Sequence, residues 1–387
     1  MIQSKGNMLS LTKVEEYNMK RFLSILLALA LVFIVAACSK AEPLPTAEPT
    51  PELIQTPEPT PEPTPEPTPE PTPEPTPEPT PVLYTHPLTG ESSETPFGNA
   101  RPYAVMINNI NFAQPQCATS QCDILYEILV EGTTRMMAVF SDLQDVGKIG
   151  SMRSLRPYYL DIATTYDALM IHAGGSEQAY SDVAALGWEN IDGVRGPGGY
   201  AFQRDPNRMA HGIEHSLFTT GEQILSTTAD LEYRTEHEQE NFDYGLLFAD
   251  DATPDGATAE KVTVQFGGIY GKTTTFSYDA ETKLYYPAQY GSDYIDGNNW
   301  EKVGFTNVLV LYAATQTIDE YGRLAVTLTG ENEGVFICGG KSGEITWSRE
   351  DRNSQFRYTN ADGSPLAFGV GKTYICIVPL ESKLEMN

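Results

Sequence analysis

The sequence predicts an α+β domain followed by a mostly-β domain, both carried behind a disordered, proline-rich stalk. Three observations make that prediction. Residues 57–80 are six uninterrupted copies of Pro-Glu-Pro-Thr, a unit that cannot build a core. Residues 101–230 mix helix-start signals with strand-like runs. From about residue 261 onward the chain turns to short β-rich runs separated by turn clusters.

The N-terminal region comes first. Met19-Lys20-Arg21 precede an apolar stretch over residues 22–37, which ends in Val35-Ala36-Ala37-Cys38. A cationic start, an apolar core and small residues before the cleavage point form a secretory signal peptide. A cysteine as first mature residue makes it a bacterial lipoprotein signal, so Cys38 is the lipidation candidate and residues 1–37 are expected to be removed. The signal reads best from Met19, and residues 1–18 are expected to be a spurious extension. The rival is a transmembrane helix, which needs about 20 apolar residues; this stretch has sixteen before Ser39-Lys40. Two or more acyl chains anchor a protein stably where one does not. Residues 38–81 then form the lipidated stalk. Proline removes backbone donors and favours polyproline II at about 3.1 Å per residue, so the perfect repeat alone spans roughly 70 Å.

Charge narrows the partners. The chain has 25 basic and 52 acidic residues, a net of −27. Phosphate backbones are bound by clustered cations, so nucleic acid is excluded as a partner. The expected partners are the membrane, through the lipid, and a cell-wall component or envelope protein.

The first domain is expected over 82–250. Tyr103-Ala104-Val105-Met106-Ile107, residues 134–140 and residues 168–172 read as strands. Pro157 suits the first turn of a helix. Residues 176–186 read as a second helix entered from Gly174-Gly175, and Thr219-Thr220-Gly221-Glu222-Gln223 carries a capping-box start for a third. Residues 249–260, rich in Asp, Thr, Pro and Gly, mark the boundary. The second domain, 258–387, has β-rich runs at 262–266, 273–278, 308–312, 323–328, 334–337, 344–347, 356–358 and 372–378. Turn clusters such as Asp296-Gly297-Asn298-Asn299 separate them.

Four cysteines follow Cys38: Cys117, Cys122, Cys338 and Cys376. An exported protein can form disulfides, and these four are the candidates; they fit equally well as buried thiols. No Cys-x-x-Cys pair supports a zinc finger.

These residues together resemble the YerB-like lipoproteins, a bacterial family whose two domains have no established activity. The resemblance is carried by Arg101-Pro102-Tyr103-Ala104-Val105-Met106-Ile107-Asn108-Asn109, Asp123-Ile124-Leu125-Tyr126-Glu127 and Ile149-Gly150-Ser151-Met152-Arg153-Ser154-Leu155-Arg156-Pro157. His172-Ala173-Gly174-Gly175-Ser176 and Phe202-Gln203-Arg204-Asp205 extend it, and the second half matches more loosely. It implies an α+β domain followed by a β-rich one and hands over no activity. The chain departs from the family in having Glu214-His215-Ser216 where Pro-His-Asn is usual. It also has Cys117 and Cys122 where the family has small residues without a thiol.

The chemistry is expected around His172, Gly174, Gly175 and Ser176. A strand that ends in Gly-Gly and opens a helix at Ser presents free backbone N–H groups and the positive end of a dipole. Arg153 and Arg156, three apart, and Arg204 and Arg208, four apart, stand out in a chain short of cations, and their convergence on this turn would hold an anion. The competing account makes the glycines a tight turn and pairs the arginines with nearby acids. His211-Gly212-Ile213-Glu214-His215 formally fits a metalloprotease pattern. Gly212 weakens the helix that chemistry needs, so no metal is expected, nor any other cofactor. Ser176 with His172 or His215 as base would make a hydrolase acting on wall polymer, but Gln178 stands where a nucleophile elbow needs glycine. Glu127 and Glu131 are expected on one strand face roughly 13 Å apart, too wide for an acid–base pair, with an ion pair to Arg135 the better assignment. The favoured reading is therefore a lipid-anchored extracytoplasmic protein that binds an anionic ligand or partner, with His215 also a ligand-contact candidate. Catalysis is the less favoured alternative.

Overall fold

The computed structural model describes residues 82–268 and 270–387. The signal peptide, Cys38 and the stalk lie outside the described residues.

Among the described residues fifteen strands make the two principal sheets, and three helices, all within residues 157–230, pack around them. The strands are β1 Tyr103–Asn109, β2 Ile124–Leu129, β3 Thr134–Phe140, β4 Leu169–His172 and β5 Asn190–Asp192. Then come β6 Lys261–Gly267, β7 Lys272–Asp279, β8 Leu284–Gln289, β9 Ser292–Asp293 and β10 Asn307–Ala313. The last five are β11 Gly330–Cys338, β12 Lys341–Arg349, β13 Arg357–Asn360, β14 Thr373–Pro379 and β15 Leu384–Met386. The helices are α1 Pro157–Thr165, α2 Glu177–Leu186 and α3 Gly221–Asp230.

Each helix starts where its local chemistry permits. Pro157 occupies the first turn of α1, where its missing N–H removes nothing. Ser176 caps α2, its Oγ accepting from the Ala179 N–H at 3.2 Å, and Gly187 ends it in the left-handed conformation. Thr220 caps α3 by accepting from the Gln223 N–H.

The two halves share a single sheet. Its ten strands run in the order β13-β12-β11-β10-β14-β2-β3-β1-β4-β5, and β14 from the second half lies parallel to β2 from the first. A sheet covered on both faces reads as unbroken apolar runs, and β1, β3 and β14 are buried at every position. A five-stranded sheet, β9-β8-β7-β6-β15, covers one face. In it, alternation returns: Val262, Val264 and Phe266 point inward between exposed or half-buried neighbours. Helix α1 covers the other face. The pleat of β2 shows the division, since Tyr126 meets Tyr166 at the end of α1 (2.6 Å between hydroxyls), whereas Glu127 reaches Thr274 of β7.

The structure corrects several expectations. The run at 323–328 is a strand only over Leu324–Val326, paired with Thr315–Thr317 in a two-stranded ribbon. The short parallel pairing of Leu247–Ala249 with Ala367–Gly369 shows that the chain is already tied to the second half before residue 250. Among the described residues Cys117, Cys122, Cys338 and Cys376 are buried free thiols, the second of the two arrangements left open by the sequence. Cys338 and Cys376 flank β10 opposite Asn307 and Val310 respectively. Two strand spacings and three residues of offset put them roughly 14 Å apart, about twice the reach of a disulfide. Among the described residues no helix is long and apolar enough to cross a membrane.

Candidate functional site

Strands β1, β2, β4, β5, β10 and β14 all run in one direction, so their C-terminal residues gather at one end of the sheet. Antiparallel β3 brings its first residues, Thr134 and Arg135, to that same end. Loops beyond the carboxyl ends of parallel strands are where such sheets hold ligands. Two clusters of charged groups form here, around Glu127 and Glu131.

Glu127 is fully buried. Its Oε1 accepts from Asn109 Nδ2 (2.9 Å) and Thr134 Oγ1 (2.6 Å) and pairs with Lys272 Nζ at 2.8 Å. Its Oε2 accepts from the hydroxyls of Thr274 (2.7 Å) and Tyr374 (2.6 Å). Burial, together with the neighbouring carboxylate, raises the Tyr374 pKa, so that hydroxyl stays a donor. Every lone pair of Glu127 is used, and the donors come from both halves. This is a buried ion pair inside a closed network, with no opening to solvent.

Glu131 lies in the turn beyond β2, at the rim. It pairs with Arg135 Nη2 at 3.2 Å and with Arg156 Nε at 2.5 Å. Burial raises its pKa, but the Arg156 hydrogen bond and the charges of Arg135 and Arg156 outweigh that and hold it below the usual carboxylate range. Burial, with the charges of Arg156 and Arg153 adding to it, presses Arg135 down to about 10, still protonated at neutral pH. Arg153 is half-buried and its side chain makes no hydrogen bond or ion pair among the described residues. Burial lowers its pKa, the Glu214 charge opposes this, and Arg156 reinforces it. Three guanidinium groups thus press on one another with a single carboxylate in contact.

The segment carrying Arg153 and Arg156 is laced to the Gly-Gly-Ser turn. The Ala173 N–H donates to Arg153 O, Leu155 N–H to Gly174 O, and Ser176 N–H to Leu155 O. Gly174 has φ +76°, which reserves the position for glycine. A groove of about 430 Å³ opens between Arg156, Gly175, Ser176 and Glu131 on one side and Tyr321 and Arg323 on the other. Glu131 and Tyr321 also line a neighbouring cavity of about 610 Å³ over the ends of β2 and β14. Arg323 pairs with Asp319 at 2.5 Å, and Asp319 Oδ1 also accepts from the Tyr321 and Arg323 N–H groups, which fixes the turn at the tip of the ribbon.

The fold and this site can be set beside known proteins. The model described as "Protein of unknown function (DUF3048) N-terminal domain" matches residues 88–234, and the corresponding C-terminal domain matches residues 262–375. Together they span well over half of the chain. The chain belongs to the DUF3048 family. It is 26% identical over 295 residues to a Bacillus subtilis (strain 168) protein named "Putative lipoprotein YerB", covering 76% of this chain and 86% of the relative. The crystal structure of YerB from Bacillus subtilis matches with a TM-score of 0.66 at 26% identity, over 78% of this chain and 99% of that one. The resemblance drawn from the sequence is thus the correct family.

In this DUF3048 chain the residues singled out from sequence do not all meet. Arg156, Gly175 and Ser176 line the groove, and Arg153 and Gly174 adjoin it through the backbone lacing. His172 does not line it. It is fully buried, with Nδ1 at 2.8 Å from Gly174 O and Nε2 at 3.1 Å from Asn190 Oδ1, so both ring nitrogens brace the turn from behind. Ser176 Oγ is engaged as a helix cap, and among the described residues it makes no hydrogen bond to a histidine that would form a nucleophile–base pair. Arg204 is used on Ile213 O (2.6 Å) and Ser216 Oγ (3.2 Å), and Arg208 on the carbonyls of Ala113, Gln114 and Pro115. Those two arginines hold loops. His215 is buried against Asn108 Nδ2 at 2.9 Å, and burial lowers its pKa. His211 and His215 sit on two separate 3-10 turns divided by Gly212, which breaks the single helical face that a zinc pair requires. Among the described residues no three His, Cys, Asp or Glu side chains come together as a metal site. The ion pair expected between Glu131 and Arg135 is present, whereas Glu127 and Glu131 do not share a strand face, because β2 ends at Leu129. Tyr321 and Arg323 were not foreseen. Asp319 and Gly322 mark a turn in the sequence, but nothing local places it opposite Arg156.

Proposed function

We propose that the protein is held outside the bacterial membrane by a lipid on Cys38, and that its stalk presents a groove that binds an anionic ligand. The observation that carries this reading is the imbalance at the groove. Arg135 and Arg156 share one carboxylate, Glu131, and Arg153, whose charge is opposed chiefly by Glu214, presses on both, in a chain of net charge −27. Collecting like charges costs free energy, and an incoming anion relieves that cost. The N-terminus of α2, ten residues long, points its dipole at the same groove from Ser176 and Glu177. The ordinary similarity to a protein named as a lipoprotein supports the anchored, extracytoplasmic location. Titration of inorganic phosphate and acidic wall fragments against the full chain tests the reading. Saturable binding is expected, weakened about 10-fold or more in the Arg153→Ala/Arg156→Ala double variant, as befits charge-assisted hydrogen bonds of about 1.5–3 kcal/mol. Equal, weak binding by both proteins would end it.

A further inference from the structure

The anion groove continues into a second cavity, and the side chain that divides them is an exposed aromatic ring. We infer that the ligand is an acidic saccharide, with its charged group held at Arg156 and a sugar ring laid on Tyr321. The inference rests on the anion-binding reading and says what else the anion is attached to.

Tyr321 is 73% exposed. It stands at the tip of the ribbon formed by Thr315–Thr317 and Leu324–Val326. Asp319 fixes the backbone on both sides of it, and Gly322, at φ +76°, completes the turn. The Arg323 guanidinium lies 5.4 Å from the ring centroid, a cation–π contact that holds the ring in place. A large aromatic ring held by its turn, yet given no core to fill, is a surface prepared for stacking. Rings that combine an apolar face with a polar tip suit ligands that are themselves apolar on one face and hydroxylated at the edge. Sugars have that character.

The lining beyond Tyr321 agrees. Thr315, Thr317, Gln265 and Ser382 supply hydroxyl and amide groups that both donate and accept, and Leu129 and Leu324 supply apolar floor. Glu131, Glu320, Glu381 and Lys383 also line this cavity, a net negative set that repels an anion, so the ligand's charge belongs at the Arg156 end. The chief competitor is an acidic peptide. Peptides bind sheets by adding a strand at an unpaired edge. This groove instead crosses the ends of interior strands β2 and β14, whose backbone partners are already taken on both sides.

The decisive experiment titrates the full chain with four probes: an acidic oligosaccharide, a neutral oligosaccharide of equal length, a glycerol-phosphate oligomer that lacks sugar rings, and an oligoglutamate. Each is repeated with Tyr321→Ala and with Arg156→Ala. The acidic oligosaccharide is expected to bind about 5- to 10-fold tighter than the ring-free oligomer, the gain typical of an aromatic stack. That margin disappears in Tyr321→Ala, which then binds the acidic oligosaccharide and the ring-free oligomer with equal affinity. Equal affinity for the ring-free oligomer, or the strongest binding by oligoglutamate, overturns the saccharide assignment and leaves the anion site standing. Loss of the anion site itself would show differently, as an Arg156→Ala variant that binds every charged probe like the parent.

Discussion

Glu127 and Glu131 are four residues apart and have opposite fates. Glu127 is sealed between the halves with five donors around it, every one supplied by the protein. Glu131 stands at the rim, half-buried, with more positive charge around it than it can neutralise. The difference teaches how to tell a structural charge from a functional one. A closed network leaves nothing for a ligand, whereas an imbalanced one at an opening does.

The same substitution at the two positions breaks the comparison most sharply. Glu127→Gln strands the Lys272 ammonium in the interior and is expected to cost about 3–5 kcal/mol, read as a lowered denaturation midpoint. Pairing it with Lys272→Met removes the stranded charge and recovers part of the loss. No recovery in the double variant would mean that the surrounding hydroxyls, not the ion pair, hold the halves together.

Glu131→Gln is expected to act in the other direction on binding. It frees Arg156 and tightens inorganic phosphate several-fold, while costing about 1–3 kcal/mol because buried Arg135 keeps only the Ser154 carbonyl. Weaker phosphate binding in this variant would show that Glu131 organises the arginines instead of competing for them.

The pH dependence sharpens the contrast further. Since the folded pKa of Glu131 is depressed, its contribution to stability is complete above the ordinary glutamate value of about 4.3 and is lost as pH falls through the folded value. The stability difference between parent and Glu131→Gln should therefore shrink on acidification through that range. A constant difference would assign the effect to packing.

The smallest effect expected is none at all. All four cysteines of the described residues are free thiols, so a reductant should leave the melting temperature unchanged and four buried thiols should react only after denaturation. A shift would place a disulfide where the fold has none.

Much of the fold is legible in the sequence because it is written locally. Pro157, Ser176 and Thr220 each act within one helical turn, and α1, α2 and α3 begin where those residues allow. The core strands β1, β3 and β14 announce themselves as apolar runs. The site was less legible. Arg156, Gly175 and Ser176 are close in sequence to the turn they share, and they meet. Arg204 and His172 show why residue type alone misleads: a guanidinium serves two loop acceptors as readily as a ligand, and a histidine with both nitrogens bonded has none to offer.

What the sequence determined by itself is the set of short-range decisions: where helices start, which runs are buried, and which family the chain belongs to. Tertiary structure alone decided that β14 would pair with β2, that Lys272 would find Glu127 across 145 positions of chain, and that Tyr321 would face Arg156. The physical reason is the range of the forces. Capping and alternation act over a few residues, whereas pairing between distant strands is chosen by the burial and charge compensation of the whole sheet.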